Sequence, residues 1–335
     1  MKLRGIEFGQ AFNASGARNF FGHDGWWFHH LFNRAADPLS MLGLRAALHY
    51  EGCTFVSKTT TLTERMGNMH LYRETTKPIE LTPECIIVKP LAGVVLNKVA
   101  LSGPGIRWLL KEGSWQATTD PFMISIMAVG KDKKERLREI QAMAEFIAED
   151  LHNFCGEFAL QVNFSCPNVG HAQVDLVDEV GATLDVLADI LPKVPLVPKF
   201  NALLDTRLAM QMAEHDSLDA IVMGNTIPWG ALPESIDWEG LFGSSKSPLE
   251  KMGESGTGGG GLSGRPLLPI VCQWIADAVA DGFEKPIIAG GGILHERDVF
   301  LTYAAGASAI EIGSASILRP WRVQAIIDEA KRVFT

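Results

Sequence analysis

Short apolar runs alternate with longer helix-patterned stretches along this chain, and most of the runs end on a polar or glycine-rich cluster. The runs at 53–57, 122–127, 158–163, 196–200, 220–223, 286–289 and 309–312 predict strands. The stretches at 133–153, 174–191, 205–214, 266–281, 296–304 and 316–333 predict helices between them. Strands joined through helices lie parallel, and this many repeats predicts an α/β fold, a TIM-type (β/α)8 barrel. In such a barrel the chemistry sits on the loops that follow the strands. The polar clusters do follow strands: Lys58 with Thr59, residues 163–168, Lys199, Asn225 with Thr226, residues 290–292, and Gly313 with Ser314.

With 335 residues and 47% hydrophobic content the chain can bury a large core, and barrels of this size form one domain. The net charge of −9 argues against nucleic acid or an anionic membrane as main partner, since both call for a concentrated basic surface. Five scattered cysteines without a C-x-x-C pair suggest reduced thiols and offer no zinc or iron–sulfur spacing. No apolar leader follows the first basic residues, and no stretch is long enough to span a bilayer, so a cytoplasmic location with no membrane span is expected. His29 and His30, in the aromatic run at 25–33, lack a clear third ligand, which leaves no expected metal site.

Residues 163–168 read NFSCPN and place Cys166 between two asparagines at the end of a predicted strand. A free cysteine is commonly a small buried hydrophobe. Here Pro167 disfavours helix at Cys166, and the flanking Asn163 and Asn168 suit a turn better than a core. Each amide offers a donor and an acceptor, so the pair can bracket an imide-like ring edge while the thiol transfers a proton.

Two late glycine clusters, 290–292 and Gly313-Ser314, stand where a barrel binds phosphate beyond its last strands. Glycine-rich strand-to-helix turns are also common without a ligand, but two on neighbouring strands favour phosphate. A G-x-G-x-x-G match at Gly256, Gly258 and Gly261 follows a polar stretch instead of a strand, which argues against dinucleotide binding. Those glycines would let backbone pass close to a flat ring.

Together with NFSCPN, the runs KTTTLTERMGN at 58–68, LNKVALSGPG at 96–105, GGLSGRPLLP at 260–269, IIAGGGI and AGASAIEIGSA resemble the dihydroorotate dehydrogenase family. The resemblance implies one FMN-binding barrel domain over 1–335, with an aromatic-rich insertion at about 20–48 and a Gly-rich loop at about 243–264. It implies oxidation of dihydroorotate to orotate in pyrimidine biosynthesis. Cys166 matches the active-site base of the cytosolic class, and Lys58 the lysine near flavin and substrate. Asn97, Asn163, Asn168, Asn225 and Thr226 match ring-binding positions. Ala14, Ser15, Gly16, Lys58, Thr59, Asn163, Lys199, Gly261, Gly291, Gly292, Gly313 and Ser314 match flavin contacts. Ala100 stands where the family commonly has a glycine near the substrate carboxylate.

The implied mechanism has the Cys166 thiol take a proton from C5 of the dihydropyrimidine while C6 passes hydride to FMN. Two other readings stand beside it: an FMN oxidoreductase of the same fold acting on another dihydropyrimidine or related ring, and a non-catalytic flavin- or ligand-binding barrel. The resemblance also implies a homodimer with a small-molecule substrate. An iron–sulfur flavoprotein subunit joins it if the acceptor is NAD, whereas fumarate would need the catalytic chain alone.

Overall fold

The structure of the protein is a computed structural model in which residues 1–22, 48–80, 82–164, 173–253 and 258–334 are described. It opens with a hairpin of β1 (Lys2–Leu3) and β2 (Ile6–Glu7), followed by β3 (Ala11–Asn13). An antiparallel pair comes next, β4 (Ile86–Lys89) and β5 (Val94–Asn97), and then β6 (Phe122–Ile126), β7 (Phe158–Asn163), β8 (Leu196–Phe200) and β9 (Ile221–Met223). The remaining strands are β10 (Ile227–Pro228), β11 (Gly261–Gly264), β12 (Ile287–Gly290) and β13 (Ala309–Ile312).

Seven of these form a parallel sheet in the order β3-β13-β12-β9-β8-β7-β6. Its two edges are joined by the segment 54–57. The Thr54 amide donates to Ala11 O at 2.8 Å on one side, and on the other the Ser57 amide donates to Met123 O at 2.9 Å. Parallel bridges pair Phe12 with Thr54 and Val56 with Met123. The segment expected as a strand at 53–57 is thus the eighth stave of a (β/α)8 barrel, held by bridges on both flanks.

Helices α1 (Ile106–Glu112), α2 (Lys133–Asp150), α3 (Gln173–Ile190), α4 (Thr206–Ala213), α5 (Trp238–Phe242), α6 (Leu267–Ala280), α7 (Glu296–Ala304), α8 (Ala315–Leu318) and α9 (Val323–Val333) follow in chain order. The helix expected over 316–333 is two helices, because Pro320 has no amide hydrogen to continue α8 and instead starts a 3-10 turn. The end of the helix expected over 133–153 is likewise a 3-10 turn, Leu151–Asn153. The Gly-rich stretch expected as a loop at about 243–264 is strand at its end. There β11 pairs antiparallel with β5 and β10 in a four-stranded sheet, and residues 254–257 lie outside the described set. Most of the insertion expected at about 20–48, including His29 and His30, also lies outside it.

Strand side chains alternate between two faces, and the barrel sorts them by that period. Phe122, Ile124, Leu160, Val162 and Leu196 face outward in one core with Ile140, Met143, Leu184 and Leu187 of the helices. Phe12, Val56, Met123, Ala159, Val197, Ile288 and Ala309 form a separate interior cluster with Leu3, Ile6 and Phe8 of the N-terminal hairpin, which close the bottom of the barrel. Two residues further along the same staves stand Lys58, Ser125, Gln161, Lys199, Gly290 and Glu311. The interior therefore turns from apolar to polar in one step toward the C-terminal mouth.

Candidate active site

The polar level is a hydrogen-bonded layer. Glu311 on β13 accepts from Lys199 Nζ on β8 through one carboxylate oxygen, and from Gln161 Nε2 on β7 at 2.8 Å through the other. All three side chains are buried. Among the described residues Gln161 Oε1 is buried without a hydrogen-bond partner. An amide acceptor left open beside a buried ion pair is the kind of group a ring N–H satisfies.

Above this layer the expected ring-binding residues meet. Asn225, just past β9, donates through Nδ2 to Asn163 Oδ1 at 3.0 Å and accepts from the Thr226 amide at 2.8 Å through Oδ1. Asn97, at the end of β5, lies directly opposite Gly261 in the small sheet and donates to its carbonyl at 3.4 Å. A Cβ at Gly261 would collide with the Thr226 side chain, so glycine there lets the small sheet close over Thr226. The chain thus gathers Asn97, Asn163, Asn225, Thr226 and Gly261 from four separated segments.

Lys58 sits on the opposite side of the mouth. Its ammonium is buried, donates to Ser102 O, and lies 5.0 Å from the centre of the Phe20 ring. Burial pushes its pKa down to about 8, and the neighbouring Cys85, itself held as a neutral thiol by burial in this range, does not restore it. A cation this poorly solvated is primed to meet an anionic group. Because the folded pKa lies below the unfolded 10.5, the folded state binds fewer protons between the two values. Stability from this group therefore rises as pH climbs from about 8 to 10.5, and the burial penalty is fully present below 8. We expect Lys58→Met to stabilise the flavin-free protein at pH 7 by about 1–3 kcal/mol, with the gain shrinking toward pH 10. Urea melts at the two pH values measure it, and an equal gain at both would show that the buried charge is not its source.

Next to Lys58, Ser15 Oγ and Thr59 Oγ1 are 2.7 Å apart, the Thr59 amide donates to Ser15 Oγ, and Ser125 Oγ lies 2.9 Å from Thr59 Oγ1. Gly16 lies against the Lys58 stem. The Ala14 amide donates to Ile312 O at 2.8 Å, which brings 14–16 beside Gly313 and Ser314 at the end of β13. Gly291 and Gly292 follow β12 at φ of 94° and 79°, which disfavour any residue with a side chain. The first turn of α7 is closed by its own capping box. There Asp298 Oδ2 accepts from the Leu294 and His295 amides at 2.9 Å, and the His295 ring accepts from Arg297. The candidate phosphate donors are thus the glycine turns and not that helix terminus. Buried cations, an open amide acceptor and glycine turns with no Cβ suit FMN, a flat polar ring with an anionic tail.

Ala100 and Leu101 both adopt φ of 60°. That conformation costs a residue with a Cβ roughly 1 kcal/mol, a strain that a glycine at position 100 would not carry. Cys166 and Asn168 lie outside the described residues. Gln161, Glu311, Ser125, Phe20 and Ser102 belong to the site but were not anticipated. The first two carried a signal: each is a polar residue at an inward position of an otherwise apolar run, FALQVN and AIEI.

The dihydroorotate dehydrogenase family model matches residues 43–334. Among similar proteins, the dihydroorotate dehydrogenase B (NAD(+)) catalytic subunit of Anoxybacillus flavithermus is 31% identical over 276 residues, 81% of this chain and 76% of its own. The protein of the same name from Geobacillus sp. is 30% identical over 276 residues, again 81% and 76%. A ligand-free DHODH structure from Eimeria tenella superimposes with a TM-score of 0.61 at 19% identity, over 86% of this chain and 79% of that one, and so shares the fold. The chain belongs to the dihydroorotate dehydrogenase family, whose members are FMN-dependent oxidoreductases.

Proposed function

We propose that the protein oxidises dihydroorotate to orotate in pyrimidine biosynthesis, with Cys166 as general base. The observation that carries this reading is the meeting of Asn97, Asn163, Asn225 and Thr226 at one barrel mouth, with the buried ammonium of Lys58 also at its rim. Amides pair both donors and acceptors of an imide edge, and a desolvated ammonium complements a carboxylate. Cys166 takes the C5 proton, and the asparagines hold the ring so that C6 faces the flavin position. When bound, FMN supplies the two-electron acceptor for the hydride leaving C6. Asn168 and Asn163 flank the thiol in sequence and orient the ring against it.

Similarity to NAD-linked catalytic subunits favours NAD as final acceptor, reached through a separate iron–sulfur flavoprotein subunit. We take the catalytic chain to be one cytoplasmic barrel domain that pairs as a homodimer. Among the described residues no helix is long and apolar enough to cross a membrane.

Purified protein is expected to be yellow with one FMN per chain, and its flavin absorbance should bleach on anaerobic mixing with dihydroorotate. Stopped-flow reduction by dihydrouracil should be much slower. Faster bleaching by dihydrouracil would transfer the assignment to another dihydropyrimidine, and a bound flavin that neither compound reduces would favour a non-catalytic barrel.

A further inference from the structure

A lysine beside a flavin ring is ordinarily valued for its positive charge, but Lys199 is not an isolated cation. Its ammonium is in ion-pair contact with Glu311, with side-chain exposures of 6% and 1%. Glu311 is held in turn by Gln161 from the strand next to that of Lys199, and a Cβ on Gly290 would come within 3.4 Å of the same carboxylate oxygen that meets Lys199. This carboxylate therefore stands between β7 and β8 on one side of the barrel and the β12 turn on the other. Each of its two oxygens is engaged, one by Gln161 and the other by Lys199, so rotating the carboxylate would break both hydrogen bonds.

We propose that Glu311 is a positioning and charge-balancing residue for Lys199, holding the ammonium at the flavin edge while cancelling its charge and so limiting how strongly the site favours reduced over oxidised FMN. The inference rests on the FMN reading above. An ion pair presents a dipole where a lone lysine would present a full charge, and at short range in a poorly solvated interior that difference is large. Gln161 keeps the carboxylate from rotating, and its unsatisfied Oε1 is left as the neutral acceptor of the layer. Buried pairs of this kind fix geometry more than they add stability, because desolvation of both ions offsets much of their attraction.

The test compares the unmodified protein with Glu311→Gln, which keeps the shape and one hydrogen bond to Lys199 but removes the charge. Affinities of the apoprotein for oxidised and for dithionite-reduced FMN are measured alongside the midpoint potential of the bound flavin. In Glu311→Gln the ratio of reduced to oxidised affinity should rise tenfold or more, which is a positive shift of about 30 mV for a two-electron couple. The double variant Glu311→Gln, Lys199→Gln should lose that shift, because the carboxylate acts through the lysine. Glu311→Asp retains the charge but draws it back by one methylene, so it should shift the potential in the same direction by less. It also serves as the readout if the glutamine variant does not fold. An unchanged ratio in a folded, FMN-binding Glu311 variant would overturn the proposal, as would an equal shift in the absence of Lys199. Failure of the unmodified apoprotein to bind FMN would instead overturn the cofactor reading on which it rests.

Discussion

Cys166→Ala is expected to retain FMN and to bind orotate, yet to bleach with dihydroorotate about 10²–10⁴-fold more slowly, the usual contribution of a general base. A thiol with an unperturbed pKa near ~8.5 is mostly protonated at neutral pH, so the unmodified rate should climb with pH through the thiol titration. Alanine leaves nothing to titrate, and the residual rate should be flat over the same range. Cys166→Ser should fall between the two, since a hydroxyl can pass a proton but ionises far less readily. Rapid-mixing absorbance at the flavin band measures all three. An alanine variant reduced at the unmodified rate would show the thiol to be structural and would leave the C5 proton without an assigned acceptor.

The barrel was legible because its strands and helices carry different hydrophobic periods. The runs at 158–163, 196–200 and 309–312 coincide with β7, β8 and β13, since each is fully apolar on one face and bounded by turn residues. The stave β3 was missed because Ala11–Asn13 is only three residues long and shows no measurable alternation. The small sheet was invisible for a different reason: β5 and β11 pair across 164 residues, and nothing local in a glycine-rich stretch specifies a strand partner so remote. The asparagines and lysines of the site could be chosen by their places at strand ends. Their contacts could not, because whether Lys199 stands alone or meets Glu311 depends on strands 112 residues apart in the chain.

Glycine needs at the β12 turn separate folding from cofactor binding. Gly291 and Gly292 both hold positive φ, but their surroundings differ. A Cβ at Gly292 would lie 2.6 Å from the Leu268 amide nitrogen and 2.8 Å from Gly264 O, backbone atoms that cannot yield without moving α6 or β11. A Cβ at Gly291 would meet the Leu267 side chain at 3.2 Å, which can shift by a few tenths of an ångström. It would point toward Leu267, so its effect on a phosphate would come through displacement of the turn. Gly292→Ala is therefore expected to cost more than about 4 kcal/mol, a large part of a typical folding free energy, and to leave little cooperative unfolding transition. Gly291→Ala should cost about 1–2 kcal/mol, the ordinary penalty of a left-handed conformation, and remain folded. If the turn amides hold the FMN phosphate, the Gly291 variant should lose affinity for FMN while its weaker affinity for riboflavin stays the same. Thermal melts of the apoprotein and flavin fluorescence titrations measure the two effects. Equal losses for FMN and riboflavin would place the phosphate elsewhere, and a normally stable Gly292→Ala would show that α6 does not pack against this turn as described.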